Sequence, residues 1–262
     1  MKKEVLNFEA PKLNYVEAAR YLGVKARNED DFLKDPELRK IRSLIHECYE
    51  EARPLLKYMV CYAELTKQEA GEFDFSGLEY CADCERIVVF GATIGLGIDR
   101  LINKYSSISV SKAAVFQALG AERIEALCDC FEQSIIGKGS LGGLTKNRIS
   151  PGYGKFKLEN QKEIFGILDL PKEIGLTLNE SLLMSPSKSV TAIIGIQKGK
   201  TGSDFSDRDS ISEGVDSAGG VTAHRSAASE KECSMSDHFA NCGSTSKCVD
   251  CKMADCAYRD AK

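Results

Sequence analysis

The sequence predicts an α+β fold, with helices arranged around a small, mainly antiparallel sheet. Three observations carry this expectation. Strand-like stretches are few, and several helical stretches flank them. The two kinds do not alternate strictly, as the crossovers of a doubly wound sheet would require. The chain has 262 residues and is 43% hydrophobic, so one large domain, or one medium domain with an appendage, can bury a normal core.

The elements follow in order. Tyr15 to Leu22 reads as a short helix, capped by Asn14 and stopped by Gly23. A longer helix begins with Asp35 as N-cap and Pro36 as first residue, and Leu38, Ile41, Ile45 and Cys48 recur at helical spacing. Pro54 marks its end. Leu56, Tyr58, Val60 and Tyr62 alternate as a strand does, and Ile87 to Phe90 is a second strand. A helix is expected from Ile94 to Lys104. The strongest helical pattern runs from Lys112 to Ile135, with Val115, Leu119, Ile124, Leu127, Cys128 and Phe131 on its buried face. Gly137 to Gly143 is glycine-rich. Glu159 to Leu168 reads as a helix, and Ile174 to Leu178 and Ser189 to Gln197 as strands. No internal repeat is visible.

Composition changes near Gly199. From there to Ser236 the chain is rich in Ser, Gly, Asp, Ala and Lys and poor in large apolar residues. Such a segment cannot bury enough surface to offset its ordering entropy. The expected organisation is a body over 1–198, a flexible linker over 199–236 and a cysteine-rich tail over 237–262. No run of about 18 apolar residues occurs, so no transmembrane helix is expected and no membrane partner. The first residues lack the apolar stretch of a signal peptide, which points to the cytoplasm. The 35 basic and 39 acidic residues interleave to a net charge of −4, which excludes the basic stripe of a nucleic-acid binder.

Eleven cysteines in a cytoplasmic chain suggest thiols or metal ligands rather than disulfides. Cys242, Cys248, Cys251 and Cys256 follow the spacing C-x5-C-x2-C-x4-C. Four thiolates so close together can surround one zinc ion or one iron–sulfur cluster. A tail too short for a core would draw folding energy from that metal. Cys233 and His238 are neighbouring alternative ligands. Cys81 and Cys84 form a lone C-x-x-C, a weak signal readable as a redox pair or half a metal site. Cys128 and Cys130 are two apart on a helix and point in different directions. His46 lies beside an apolar helical face and reads as a packed histidine. Gly91, Gly95 and Gly97 sit between a strand and a helix. Their spacing is not G-x-G-x-x-G, so a tight turn explains them better than a phosphate loop does.

Arg148-Ile149-Ser150-Pro151-Gly152-Tyr153 concentrates a guanidinium, a rigid turn and an aromatic hydroxyl. Arg can grip a carboxylate through two parallel hydrogen bonds, Pro-Gly lets backbone approach a ligand, and Tyr offers an apolar face with a polar tip. On their own the six residues also read as a surface turn with a solvated Arg.

Arg148, Gly152 and Tyr153 match the R-x-x-x-G-Y of the activation domain of cobalamin-dependent methionine synthase. Downstream, Gly175 to Ala192 resembles the family pattern G-x-x-L-T-E-S-x-x-M-x-P-x-x-S-V-S-G. Upstream, Ala118 to Ala126 resembles the helix that donates an acidic residue to the ligand. The resemblance is closest over residues 110–197, and the N-terminal hundred residues resemble short, free-standing activation proteins.

The resemblance implies a reactivation subunit that binds S-adenosylmethionine. It would support reductive methylation of cob(II)alamin carried by a partner, either a methionine synthase or another corrinoid protein. One electron would come from a flavodoxin-like or ferredoxin-like donor. Carried over residue by residue, Arg148 would hold the ligand's carboxylate and Glu125 would face its cationic part. Pro151 and Gly152 would line its bed, and Tyr153 would pack on it or hydrogen-bond to it. Two departures stand out. The family's second acidic contact has no evident counterpart, and Ile193-Ile194 replaces an aromatic pair. The rival expectation is an electron-delivery protein with an iron–sulfur tail, or a binding module with a zinc clip.

Overall fold

The period of two in the strand stretches becomes a sheet buried on both faces. A computed structural model describes residues 2–73, 75, 78–137 and 145–197. The expected linker at 199–236 and the tail with Cys242, Cys248, Cys251 and Cys256 lie outside the described residues. The main sheet has the order β1-β2-β3-β6, antiparallel throughout, formed by β1 (Lys3–Phe8), β2 (Tyr58–Thr66), β3 (Arg86–Thr93) and β6 (Ser189–Ile196). Helices α1 (Tyr15–Tyr21), α2 (Asp31–Lys34) and α3 (Pro36–Ala52) join β1 to β2. The short α4 (Lys67–Ala70) lies between β2 and β3. Helices α5 (Gly97–Ser106), α6 (Val110–Gly137), α7 (Gln161–Leu168) and α8 (Leu170–Ile174) follow β3. A two-stranded hairpin of β4 (Thr177–Leu178) and β5 (Met184–Ser185) leads into β6.

Alternation along the strands divides the core in two. Val60, Val88, Phe90, Ala92, Ala192 and Ile194 share one cluster with residues of α1, α3, α5 and α6. Cys61, Ala63, Leu65, Val89 and Ile193 share the other with α7, α8 and Phe156. Phe131 of α6 packs on Phe90 and Tyr62, with ring centroids 4.8 and 5.2 Å away. A buried ring of this size stabilises the fold by roughly 1.5–3 kcal/mol.

Local signals place most helix ends where the sequence predicts. The Asn14 side chain accepts from the Glu17 N–H, and the Asp35 side chain accepts from the Glu37 and Leu38 N–H groups. Helix α5 starts three residues later than expected. Gly95 adopts φ +77°, and a Cβ on Gly97 would come within 2.3 Å of the Leu55 carbonyl oxygen. A Cβ on Gly91 would strike Leu170, so all three glycines answer to packing and turn geometry. Two further differences have physical causes. Leu170–Ile174 is a helical turn with Pro171 in its first turn, which leaves only Thr177–Leu178 of the strand expected from Ile174. Strand β1 is a half-exposed edge, held by its ladder to β2, and so lacks the apolar run that announces a strand.

Helix α6 carries a fully buried ion pair. The Arg123 guanidinium grips both oxygens of Glu122 and donates to the carbonyls of Pro11 (2.5 Å) and Lys12 (2.9 Å). Glu122 also accepts from the Asn14 N–H at 3.0 Å. The segment between β1 and α1 is thereby tied to the middle of α6. Removing one partner of such a pair leaves an uncompensated buried charge, at about 3–5 kcal/mol. Arg123→Met is therefore expected to lower unfolding free energy by about that amount in urea titrations, and Arg123→Lys, which cannot reach all these acceptors, by a large share of it.

Candidate functional site at the sheet edge

The site is built where the chain returns from α6 to the sheet. Residues 145–149 run beside β6 as an irregular added strand. Thr145 bridges Ile196, the Lys146 N–H donates to the Gly195 carbonyl at 2.8 Å, and Ile149 and Ile193 exchange two bonds of 2.9 Å. Adjacent residues in an extended segment point to opposite faces. Ile149 accordingly packs on the core of α7 and α8, and Arg148 turns towards α6.

Arg148 meets three carboxylates there. Its Nη2 donates to Glu125 at 2.5 Å, and its Nη1 donates to Asp129 at 2.6 Å and to Glu132. Positions 125, 129 and 132 recur at helical spacing, so α6 presents the three on one face. The Arg148 side chain is only 9% exposed, whereas those of Glu125, Asp129 and Glu132 are 36%, 32% and 25% exposed. Burial works against the guanidinium charge. The Cys128 sulfur and the three carboxylates outweigh it, so Arg148 is held charged more firmly than in water. One guanidinium is thus gathered by three carboxylates, each more exposed than the guanidinium itself.

The turn that follows is pinned at both ends. The Tyr153 N–H donates to Ser150 O (3.3 Å), the Gly152 N–H to Phe156 O (2.7 Å) and the Phe156 N–H to Tyr153 O (3.0 Å). Gly152 sits at φ +95°, in the left-handed region that disfavours a side chain. Pro151 is buried and Phe156 anchors the turn in the core, while Tyr153 stands 70% exposed. The ring is thus displayed on a hydrogen-bonded turn.

The structure brings Glu125 and Arg148 into direct contact and places Pro151, Gly152 and Tyr153 in the turn beside them. Asp129 and Glu132 complete the cluster without having been singled out from sequence. Their spacing from Glu125 was the available signal, but spacing on a helix does not disclose a partner. Much of the Gly175 to Ala192 pattern acts as scaffold. The Asn179 side chain accepts from the Leu183 N–H at 2.9 Å within the hairpin. The Ser189 hydroxyl is buried, donates to Pro186 O (2.8 Å) and lies 2.9 Å from the Thr93 hydroxyl. His46, expected to be packed, is instead exposed, because it lies on the solvent side of α3, and its Nδ1 lies 2.9 Å from the Tyr15 hydroxyl.

Cys81 and Cys84 are buried in the loop before β3. Among the described residues no group of three or more His, Cys, Asp or Glu is placed to hold a metal, and no helix is long and apolar enough to cross a membrane. The loop grips the site segment. The Lys146 ammonium donates to Tyr80 O at 2.6 Å and to Asp83, and the Gln197 amide donates to Asp83 at 2.5 Å. These bonds to Lys146 and Gln197 hold the Asp83 carboxyl below its usual range. A depressed folded pKa means the contact contributes fully above the unfolded carboxylate value and is lost as pH falls through the lower folded value. The protection factor of the Lys146 amide, corrected for intrinsic exchange and measured by NMR, is expected to hold steady at neutral pH and to fall on acidification below pH ~4.

No family model and none of the curated proteins matches the chain. Among solved structures, the fold is similar to that of the MetH reactivation domain bound to AdoHcy, with a TM-score of 0.56 and 14% identity over 77% of this chain and 80% of that chain. The helices and small antiparallel sheet described above are thus the fold of that reactivation domain.

Proposed function

We propose that the chain binds S-adenosylmethionine at the Arg148 turn and serves the reductive reactivation of a corrinoid cofactor carried by a separate methionine synthase or related corrinoid protein. The observation that carries this reading is the Glu125–Arg148 contact beside an ordered turn, on a fold shared with a domain solved with AdoHcy. The methyl donor is a zwitterion with an added sulfonium, and the cluster has groups for both signs. Its partly exposed carboxylates suit the ammonium or sulfonium. Arg148 Nε has no acceptor among the described residues and offers a remaining donor to the ligand's carboxylate. Tyr153 offers a flat, exposed ring for the base or its edge.

The chemistry asks little more of this chain. The sulfonium supplies an electrophilic methyl group when the ligand is bound. The residues at the turn would bind and orient it and shield it from water, and no general base is required. A flavodoxin-like or ferredoxin-like protein would deliver the electron.

Calorimetry with S-adenosylmethionine tests the site. Tyr153→Ala is the clean probe, because an exposed side chain can be removed without disturbing the core. It is expected to weaken binding about tenfold, the share of one stacking contact. Arg148→Lys keeps a positive charge among the carboxylates and is expected to weaken binding further while circular dichroism stays native. No heat with the wild-type chain, or equal affinity in both variants, sinks the reading.

The spacing of Cys242, Cys248, Cys251 and Cys256 supports a second, compatible role as a zinc clip or an iron–sulfur electron carrier. Metal analysis of anaerobically prepared full chain is expected to give one zinc, or iron with acid-labile sulfide. Loss of the metal in Cys248→Ser with Cys251→Ser would locate it, and a metal-free chain would exclude it.

A further inference from the structure

The loop that grips the site segment contains a feature outside the ligand reading. The Cys84 N–H donates to Cys81 O at 3.0 Å, closing a four-residue turn that brings both side chains to one side. Both sulfurs lie over Gly195 of β6, where a Cβ would come within 2.5 Å of Cys84 Sγ and 3.0 Å of Cys81 Sγ. The glycine makes room for the pair. The Cys84 thiol also lies 3.9 Å from Asp83 Oδ1, to which it donates. Ala82 and Asp83 between them are exposed, so the sulfurs lie just beneath a surface loop.

We propose that Cys81 and Cys84 are a redox-active dithiol that closes to an intrachain disulfide by exchange with a small-molecule disulfide. The Cys84 sulfur attacks one sulfur of the reagent and displaces a thiolate, which takes up the proton that Cys84 loses. The Cys81 sulfur then attacks the Cys84 sulfur of the mixed disulfide. The new S–S bond forms within the chain, and the second thiolate leaves with the Cys81 proton. The chain gives up two hydrogens and two electrons, and the reagent is reduced to two thiols.

The order of attack follows from the surroundings. Burial pushes both thiols up, Cys81 to about 12. At Cys84 the Lys146 ammonium and the Cys81 thiol favour thiolate and the Asp83 carboxylate opposes it. Cys81 is raised further by the Cys84 sulfur, which makes Cys84 the first nucleophile. The same loop holds the candidate ligand turn from two sides, through Lys146 with Tyr80 and Asp83 and through the Lys155–Glu79 pair at 2.8 Å. Closing the disulfide would stiffen that hold. The disulfide does not depend on the proposed ligand, and only the meaning of the coupling rests on it.

The test incubates the full chain with oxidised glutathione, then alkylates it under denaturing conditions and maps the peptides by mass. The peptide spanning Cys81 and Cys84 is expected to escape both labels and to weigh two hydrogens less than its reduced form. Cys81→Ser is expected to trap one glutathione on Cys84. Full labelling of both cysteines, glutathione persisting on the wild-type pair, or pairing of either with another cysteine overturns the proposal. Hydrogen exchange at Lys146 and Ile149 is expected to slow several-fold on oxidation, and unchanged exchange removes the coupling. Absence of S-adenosylmethionine binding would touch neither result.

Discussion

The fold depends on burying α6 along most of its length. The helix lies between the sheet and the helices α1, α3 and α5, with Phe131 seated on Phe90 and Tyr62. A helix placed so deeply has few positions for charge, and each must find a partner. Glu122 and Arg123 find each other and the Pro11 and Lys12 carbonyls, which holds the chain leading from β1 into α1. Glu125, Asp129 and Glu132 lie on the strip that reaches the sheet edge, and Arg148 meets them there. One buried helix thus organises the packing, the N-terminal connection and the candidate site.

The site stands on the sheet edge for a related reason. The Ile149–Ile193 bridge and the Lys146–Gly195 bond register the incoming segment against β6, and strand alternation then sends Arg148 towards α6 and Ile149 towards the other core. The turn that follows is held by its own backbone bonds and by Phe156, and it displays Tyr153 to solvent. An Arg that touches three carboxylates differs from the solvated Arg that a surface turn would carry. It belongs to a cluster in which three partly exposed carboxylates of α6 surround one buried guanidinium.

The elements with local signals were legible in the sequence. Asn14 and Asp35 cap the helices they were expected to cap, and the apolar period of α6 marked its buried face. Strand β1 was not legible, because an edge strand owes its place to the ladder with β2 and has no apolar run. The start of α5 was missed because the obstacle is distant, the Leu55 carbonyl against Gly97. Arg148, Gly152 and Tyr153 drew attention as a motif. Asp129 and Glu132 did not, since helical carboxylates are ordinarily solvated and only the return of the chain past α6 makes these two different.

By itself the sequence determined the α+β class, the helix caps, the glycine turn before α5 and the six residues around which a ligand reading could form. These rest on interactions between residues close along the chain, and short-range chemistry can be read without coordinates. Tertiary structure alone decided that Arg148 is buried against α6, that Lys146 joins the site segment to the Cys81–Cys84 loop, and that Gly195 makes room for two thiols. Each of these contacts joins residues from 16 to more than a hundred positions apart along the chain. Such contacts exist only once the hydrophobic faces of α6 and the sheet have come together.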